Sequence, residues 1–230
     1  MKNLNIEMPS VTEQKIRQII DICWTSYKNK VAYELFHPEN EKMMQLQIAQ
    51  TLMTLTSIYE YRQNESIKIL LEVPVNIARQ RSKRIIDIVI QHSENNDIKF
   101  FPIELKCFRL RTRNGQGNRG AQNLGMFDYW MDIENIEQYS ALENFSFGTQ
   151  LTLTDDNYYV TGMHQGQQTS VYSTSKTRQN VTGILEHDIA NRLGRIELVG
   201  NYSMTGWEEI ESFNFIRQEN NNNMINFNVM

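Results

Sequence analysis

Residues 84–106 carry the side chains best placed to do chemistry. An apolar run, Arg84-Ile-Ile-Asp-Ile-Val-Ile, holds one carboxylate, Asp87; after a polar turn, Phe-Phe-Pro-Ile-Glu-Leu-Lys brings Glu104 and Lys106. Both runs read as strands. Side chains alternate faces along a strand, so Glu104 and Lys106 point the same way. Charges set into an apolar run need a polar reason to be there. A divalent cation held by Asp87 and Glu104, with Lys106 beside it, is such a reason. A hard cation of the Mg²⁺ or Mn²⁺ kind takes carboxylates and waters and keeps positions open for phosphate. It lowers the pKa of bound water and offsets charge on a transferring phosphoryl group, which is the chemistry of phosphodiester hydrolysis. Lys106 would orient or deprotonate the attacking water, or neutralise the transition state.

Two helices must bring further groups to such a site. Residues 39–58 follow Pro38 and place Met44, Ile48, Leu52 and Leu55 on one stripe. Glu41 falls on that inward face and Glu39 on the opposite one, so Glu41 is the third candidate metal ligand; Glu34 is a weaker spare. Residues 121–142 read as another helix, and Gln122 shares its buried face with Met126, Tyr129, Ile133 and Ile136. Gln122 could hydrogen-bond Lys106 or the attacking water. Asp128 and Asp132 lie to one side of that face and read as structural. Arg84, Arg109, Arg111, Arg113 and Arg119 are candidate phosphate contacts. The four histidines, at 37, 92, 164 and 187, have no metal-ligand spacing.

Around these lie the remaining elements. Ser10-Val-Thr-Glu13 is a capping box opening a helix over 11–28, with Ile16, Ile20, Cys23 and Tyr27 at helical spacing. Strands are expected at 67–75, 84–91 and 98–107, with a basic turn at 76–83 and a Gly-rich basic loop at 109–120. Residues 145–153 and 158–162 read as a hairpin about Thr-Asp-Asp-Asn. Beyond it the pattern weakens. Residues 163–180 have no clear state, and 181–193 read as a weak helix. Residues 194–201 and 208–217 read as a strand pair or part of an added lobe. Residues 218–230 read as a low-complexity, flexible tail.

The 230 residues suit a single α/β domain able to bury a large core. No run approaches the ~18 apolar residues of a membrane span, and the first residues lack an apolar signal region. Two cysteines, Cys23 and Cys107, make no disulfide framework, so the expected location is cytoplasmic. The net charge of −4 does not by itself suggest a nucleic-acid partner, but its distribution does. Residues 78–119 hold ten Lys and Arg against four acids, a balance of +6, leaving −10 for the remainder. A positive field around an acidic site suits a polyanion.

Asp87…Glu104-Leu-Lys106, on strands that follow an acid-bearing helix, resembles the PD-(D/E)XK nuclease superfamily over about residues 39–161. Pro-Ile-Glu-Leu-Lys (102–106), Gly-Ala-Gln-Asn-Leu-Gly-Met-Phe-Asp-Tyr (120–129), Asp-Ile-Glu (132–134) and Leu-Thr-Leu-Thr-Asp-Asp (151–156) are similar to a little-characterised bacterial group within it. Ile86 stands where the motif name has proline. The resemblance implies an αβββαβ restriction-endonuclease-like core, with a mixed central sheet flanked by helices and C-terminal β-rich additions over 163–217. It implies an Mg²⁺- or Mn²⁺-dependent nuclease that acts on DNA, less often RNA, with restriction or defence as the expected setting and Asp87, Glu104 and Lys106 as its signature residues. A homodimer would suit double-strand cleavage, though nothing in the chain demands one. Two rivals remain: an inactive nucleic-acid-binding module of the same fold, and a structural or interaction protein whose Glu-x-Lys pair is only a salt bridge.

Overall fold

The computed structural model describes residues 10–77, 83–110, 122–162, 170–189 and 192–220. Helix α1, Val11–Ala32, opens on the expected capping box, with the Ser10 and Glu13 side chains each accepting from the other's backbone N–H. Helix α2, Glu41–Tyr59, is capped by Asn40. Three antiparallel strands follow: β1 (Glu65–Val75), β2 (Arg84–Glu94) and β3 (Asp97–Phe108). Helix α3, Gln122–Tyr139, then crosses to β4, Thr149–Thr154, which lies parallel to β3. The first three strands and the two later helices therefore stand where periodicity placed them.

The six-stranded mixed sheet has the order β1-β2-β3-β4-β8-β7, where β7 is Glu208–Ile210 and β8 is Phe213–Glu219. Helices α1 and α2 cover one face. Ile16, Ile20, Trp24, Met44, Ile48 and Leu52 pack there against Ile88, Ile90, Phe101, Ile103 and Leu105. Helix α3 covers the other face, with a two-stranded hairpin of β5 (Val181–Ile189) and β6 (Arg192–Tyr202) beyond it. Every residue of β4 is buried, as expected for a strand covered on both faces. Among the described residues, no helix is long and apolar enough to cross a membrane.

The chain after residue 154 departs from the sequence reading. The expected hairpin about Thr-Asp-Asp-Asn is a strand followed by the short helix α4, Asn157–Thr161. Asp156 caps that helix by accepting from Tyr158 N–H, the other use that such a polar cluster serves. The helix expected at 181–193 is instead strand β5 and, from Arg192, the start of β6. Val181 and Leu185 are four apart, and a four-residue interval shares a face in a strand as well as in a helix. The segments at 194–201 and 208–217 do not pair with each other: β6 pairs with β5, whereas β8 pairs with β4 and extends the central sheet. The C-terminal part is thus integral to the core. Of the tail expected over 218–230, Gln218 and Glu219 belong to β8, Asn220 is buried and bridges Gly148 N–H and the Ile136 carbonyl, and 221–230 lie outside the described residues.

Two carboxylates of α3 hold the hairpin: Glu134 accepts from Glu197 N–H at 2.9 Å, and Glu137 gathers three bonds. Glu137 accepts from Val199 N–H (2.8 Å), Gly200 N–H (2.6 Å) and the Tyr202 hydroxyl (2.8 Å). Hydrogen bonds to a charged group contribute more than neutral ones. Glu137→Ala is expected to cost roughly 2 kcal/mol, a fall of about 4–8 °C in melting temperature for a chain of this size. A change within about 1 °C would mean that the Glu137 bonds add nothing to what the apolar face and Glu134 supply.

Candidate active site

The β2–β3 ladder runs from Glu94↔Asp97 to Ile88↔Ile103 and stops there. One residue on, Asp87 replaces the missing backbone acceptor: its Oδ2 accepts from Leu105 N–H at 2.9 Å. The β1–β2 register also skips this point, passing from Leu71↔Ile88 to Val73↔Ile86. Glu72, opposite Asp87, sits at a φ of 53°, a left-handed conformation uncommon for a non-glycine residue. Gln45 of α2 secures the kink by donating to both the Asp87 carbonyl and Glu72 Oε1, each at 2.7 Å. The strands part here, and an open cleft of about 310 Å³ forms between β2, β3 and α3.

Glu104 and Lys106 both project into this cleft, as strand alternation requires. Helix α3 answers each of them. Tyr139 donates its hydroxyl to Glu104 Oε1 at 2.7 Å. Asp132 meets Lys106 Nζ at 2.7 Å, while Glu41 of α2 stands 3.7 Å from the same ammonium. Asp132, Asn135 and Tyr139 follow one another at intervals of three and four residues, so they form one stripe along α3 facing the cleft. Arg84 and Lys83 line the rim.

The acids are crowded. Burial, then the charges of Asp132 and Asp87, push Glu104 well above the usual carboxylate range. Asp132 is pushed up to about 6, by burial first, against the pull of Lys106. Glu41 is pushed up to about 7, again mainly by burial. Asp87 is raised by burial, opposed by Leu105 N–H, by Lys106 and by the neighbouring Glu104 carboxyl. Asp87 and Glu104 both line the cleft. Burial pulls Lys106 down, but Asp132 and Glu41 outweigh it, so its net shift is upward. Among the described residues, no group of three or more His, Cys, Asp or Glu is arranged to hold a metal ion. Glu41, expected as a third ligand, faces Lys106 instead.

Asp87, Glu104, Lys106, Glu41 and Arg84 thus line one cleft, as their spacing suggested. Gln122 does not join them. It opens α3 and donates to Asp156 Oδ2 at 3.4 Å, ten residues before Asp132 and so about 15 Å away along the helix axis. Arg109 is not offered to a phosphate either: its guanidinium binds Asp155 Oδ2 at 2.9 Å and the Pro38 carbonyl, and lies over the Phe213 ring. Arg111, Arg113 and Arg119 lie outside the described residues. Sequence reasoning missed Asp132, Asn135, Tyr139 and Gln45. The three-and-four spacing of Asp132, Asn135 and Tyr139 was the available signal; Asp132 was set aside because it lies off the apolar stripe. Comparison of the chain with protein-family models, curated proteins and solved structures returned no match.

The raised acids make stability depend on pH. An acid whose folded pKa exceeds its unfolded value binds its proton more tightly when folded. Stability is then fully present below the unfolded value and is lost as pH rises towards the folded one. For Asp132 that window runs from 3.8 to about 6, and for Glu41 from 4.5 to about 7. Glu104→Gln keeps an acceptor for Tyr139 and removes one of the acids. Without divalent cation, its melting temperature should exceed wild type at pH 7.5, with a smaller gain at pH 5. Equal differences at both pH values would contradict the crowding.

Proposed function

We propose that this protein is a divalent-metal-dependent phosphodiesterase acting on nucleic acid, DNA before RNA, on the restriction-endonuclease-like plan its motif resembles. The observation that carries this reading is the convergence of Asp87, Glu104 and Lys106, from two strands, on one cleft where the sheet parts. The donors suit a hard cation: they are oxygen only, and two of them are carboxyls that burial pushes towards their neutral forms, a cost that a cation would relieve. Mg²⁺ is commonly held by one or two carboxylates, with water and substrate phosphate completing its shell. Asp87 and Glu104 would hold it, with Glu41 at the cleft edge. Once bound, the cation supplies an acidified water and charge neutralisation at the phosphate.

The chain's own residues do the rest. The upward shift of Lys106 keeps it an ammonium, so it acts as a donor and positive charge towards a phosphate oxygen rather than as a base. Asp132 fixes that ammonium from α3, and Tyr139 fixes the Glu104 carboxyl. Arg84 and Lys83, at the rim, would meet the neighbouring phosphates. The Lys106–Asp132 bridge between β3 and α3 also supports a second reading, in which these charges only tie helix to sheet.

The test is a cleavage assay on DNA and RNA panels with Mg²⁺, Mn²⁺ or chelator. Metal-dependent cleavage of DNA is expected, lost in Asp87→Asn and in Glu104→Gln while both variants stay folded. In Ca²⁺, Arg84→Ala should weaken DNA binding and reduce the slope of log affinity against log salt by about one. Absence of cleavage, together with no calorimetric signal for Mn²⁺ binding, would favour the structural reading.

A further inference from the structure

Asn135 is the one α3 residue of the polar stripe whose side chain has no assigned work. It lies one turn from Tyr139, which holds Glu104, and one turn from Asp132, which holds Lys106. It therefore sits opposite the midpoint of Glu104-Leu-Lys106. The residue is only 4% exposed, lines the cleft, and its Oδ1 is buried without a hydrogen-bond partner among the described residues. A buried amide oxygen left unbonded is costly, and because Asn135 lines the cleft, rotation of its amide would offer Oδ1 to a molecule there.

We propose that Asn135 is a catalytic residue that holds the attacking water, its Oδ1 accepting one O–H so that a lone pair faces the phosphorus. This rests on the phosphodiesterase reading above. The cleft offers a water few other neutral acceptors. The Tyr139 hydroxyl keeps a lone pair but is oriented by its bond to Glu104, and Lys106 has only N–H to give. A carboxylate bound to a cation is likewise occupied. A neutral amide accepts a hydrogen bond without adding to the crowd of negative charge. In the hydrolysis, the water oxygen bonds to phosphorus and the P–O bond to the leaving oxygen breaks. One water proton leaves to solvent, and the leaving alkoxide takes one up. Asn135 exchanges no proton; it orients.

The experiment compares wild type, Asn135→Ala and Asn135→Leu in three measurements: single-turnover DNA cleavage in Mg²⁺ at saturating enzyme, equilibrium DNA binding in Ca²⁺, and thermal melting without metal. Leucine matches the size of asparagine without its polar atoms. We expect single-turnover rates to fall at least tenfold in both variants, with DNA affinity within about twofold of wild type. Asn135→Leu should melt no lower than wild type, because it removes a polar group that the fold leaves unbonded. Cleavage by both variants at the wild-type rate would overturn the role of Asn135 and leave the phosphodiesterase reading standing. So would a fall in melting temperature common to both variants, since the amide would then be bonded within the fold. A wild-type protein that does not cleave would overturn the phosphodiesterase reading itself, and this inference with it.

Discussion

The cleft depends on where β2 lets go of β3. Two antiparallel strands would ordinarily go on exchanging backbone hydrogen bonds to the end of the shorter one. Here Leu105 N–H takes the carboxylate of Asp87 in place of a backbone carbonyl, and the strands diverge. The donor remains satisfied, so the opening leaves no orphaned amide in the core. The same bond fixes the Asp87 carboxylate beside Glu104. The left-handed turn at Glu72 and the two bonds of Gln45 hold the kink from the other side. One carboxylate therefore shapes the cleft and furnishes it.

What fills the cleft is an electrostatic imbalance. Lys106 neutralises part of the charge of Asp132 and Glu41, while burial raises Asp87 and Glu104 towards their neutral forms. Apolar residues of the same size would pack this space at lower cost, because buried charges and protonated acids add little stability. A fold that keeps them keeps the capacity to exchange a proton for another cation. That exchange is what links the raised acids to the proposed chemistry.

The layers around the cleft serve mainly to hold it still. Helices α1 and α2 seal one face of the sheet with aliphatic side chains, so β3 is rigid under Glu104 and Lys106. Helix α3 lies on the other face, pinned at its far side by the hairpin through Glu137 and by Asn220 at the Ile136 carbonyl. Its polar stripe is thereby set against the strand at fixed height. An arrangement supported from both faces fixes the relative positions of these groups, as the proposed chemistry would require.

The sequence by itself determined the mixed α/β class and the order helix, three strands, helix, strand. It also determined the presence of Asp87, Glu104, Lys106 and Glu41 on inward faces, because local periodicity decides which side chains share a face. It was silent where the answer lay in pairing between distant segments. Val181 and Leu185 fit either period, and only the partner strand β6 made them a strand. Phe213–Glu219 looked like an appendage until β4 proved to need a neighbour. Gln122 and Asp132 both lay near one face of α3, and nothing in local periodicity measured how far along its axis the cleft would sit. The tertiary structure alone decided that Asp132 rather than Gln122 reaches Lys106, and that Arg109 is spent on Asp155 and Pro38. Spacing along a chain sets direction; which charge finds which partner is set by how the layers stack.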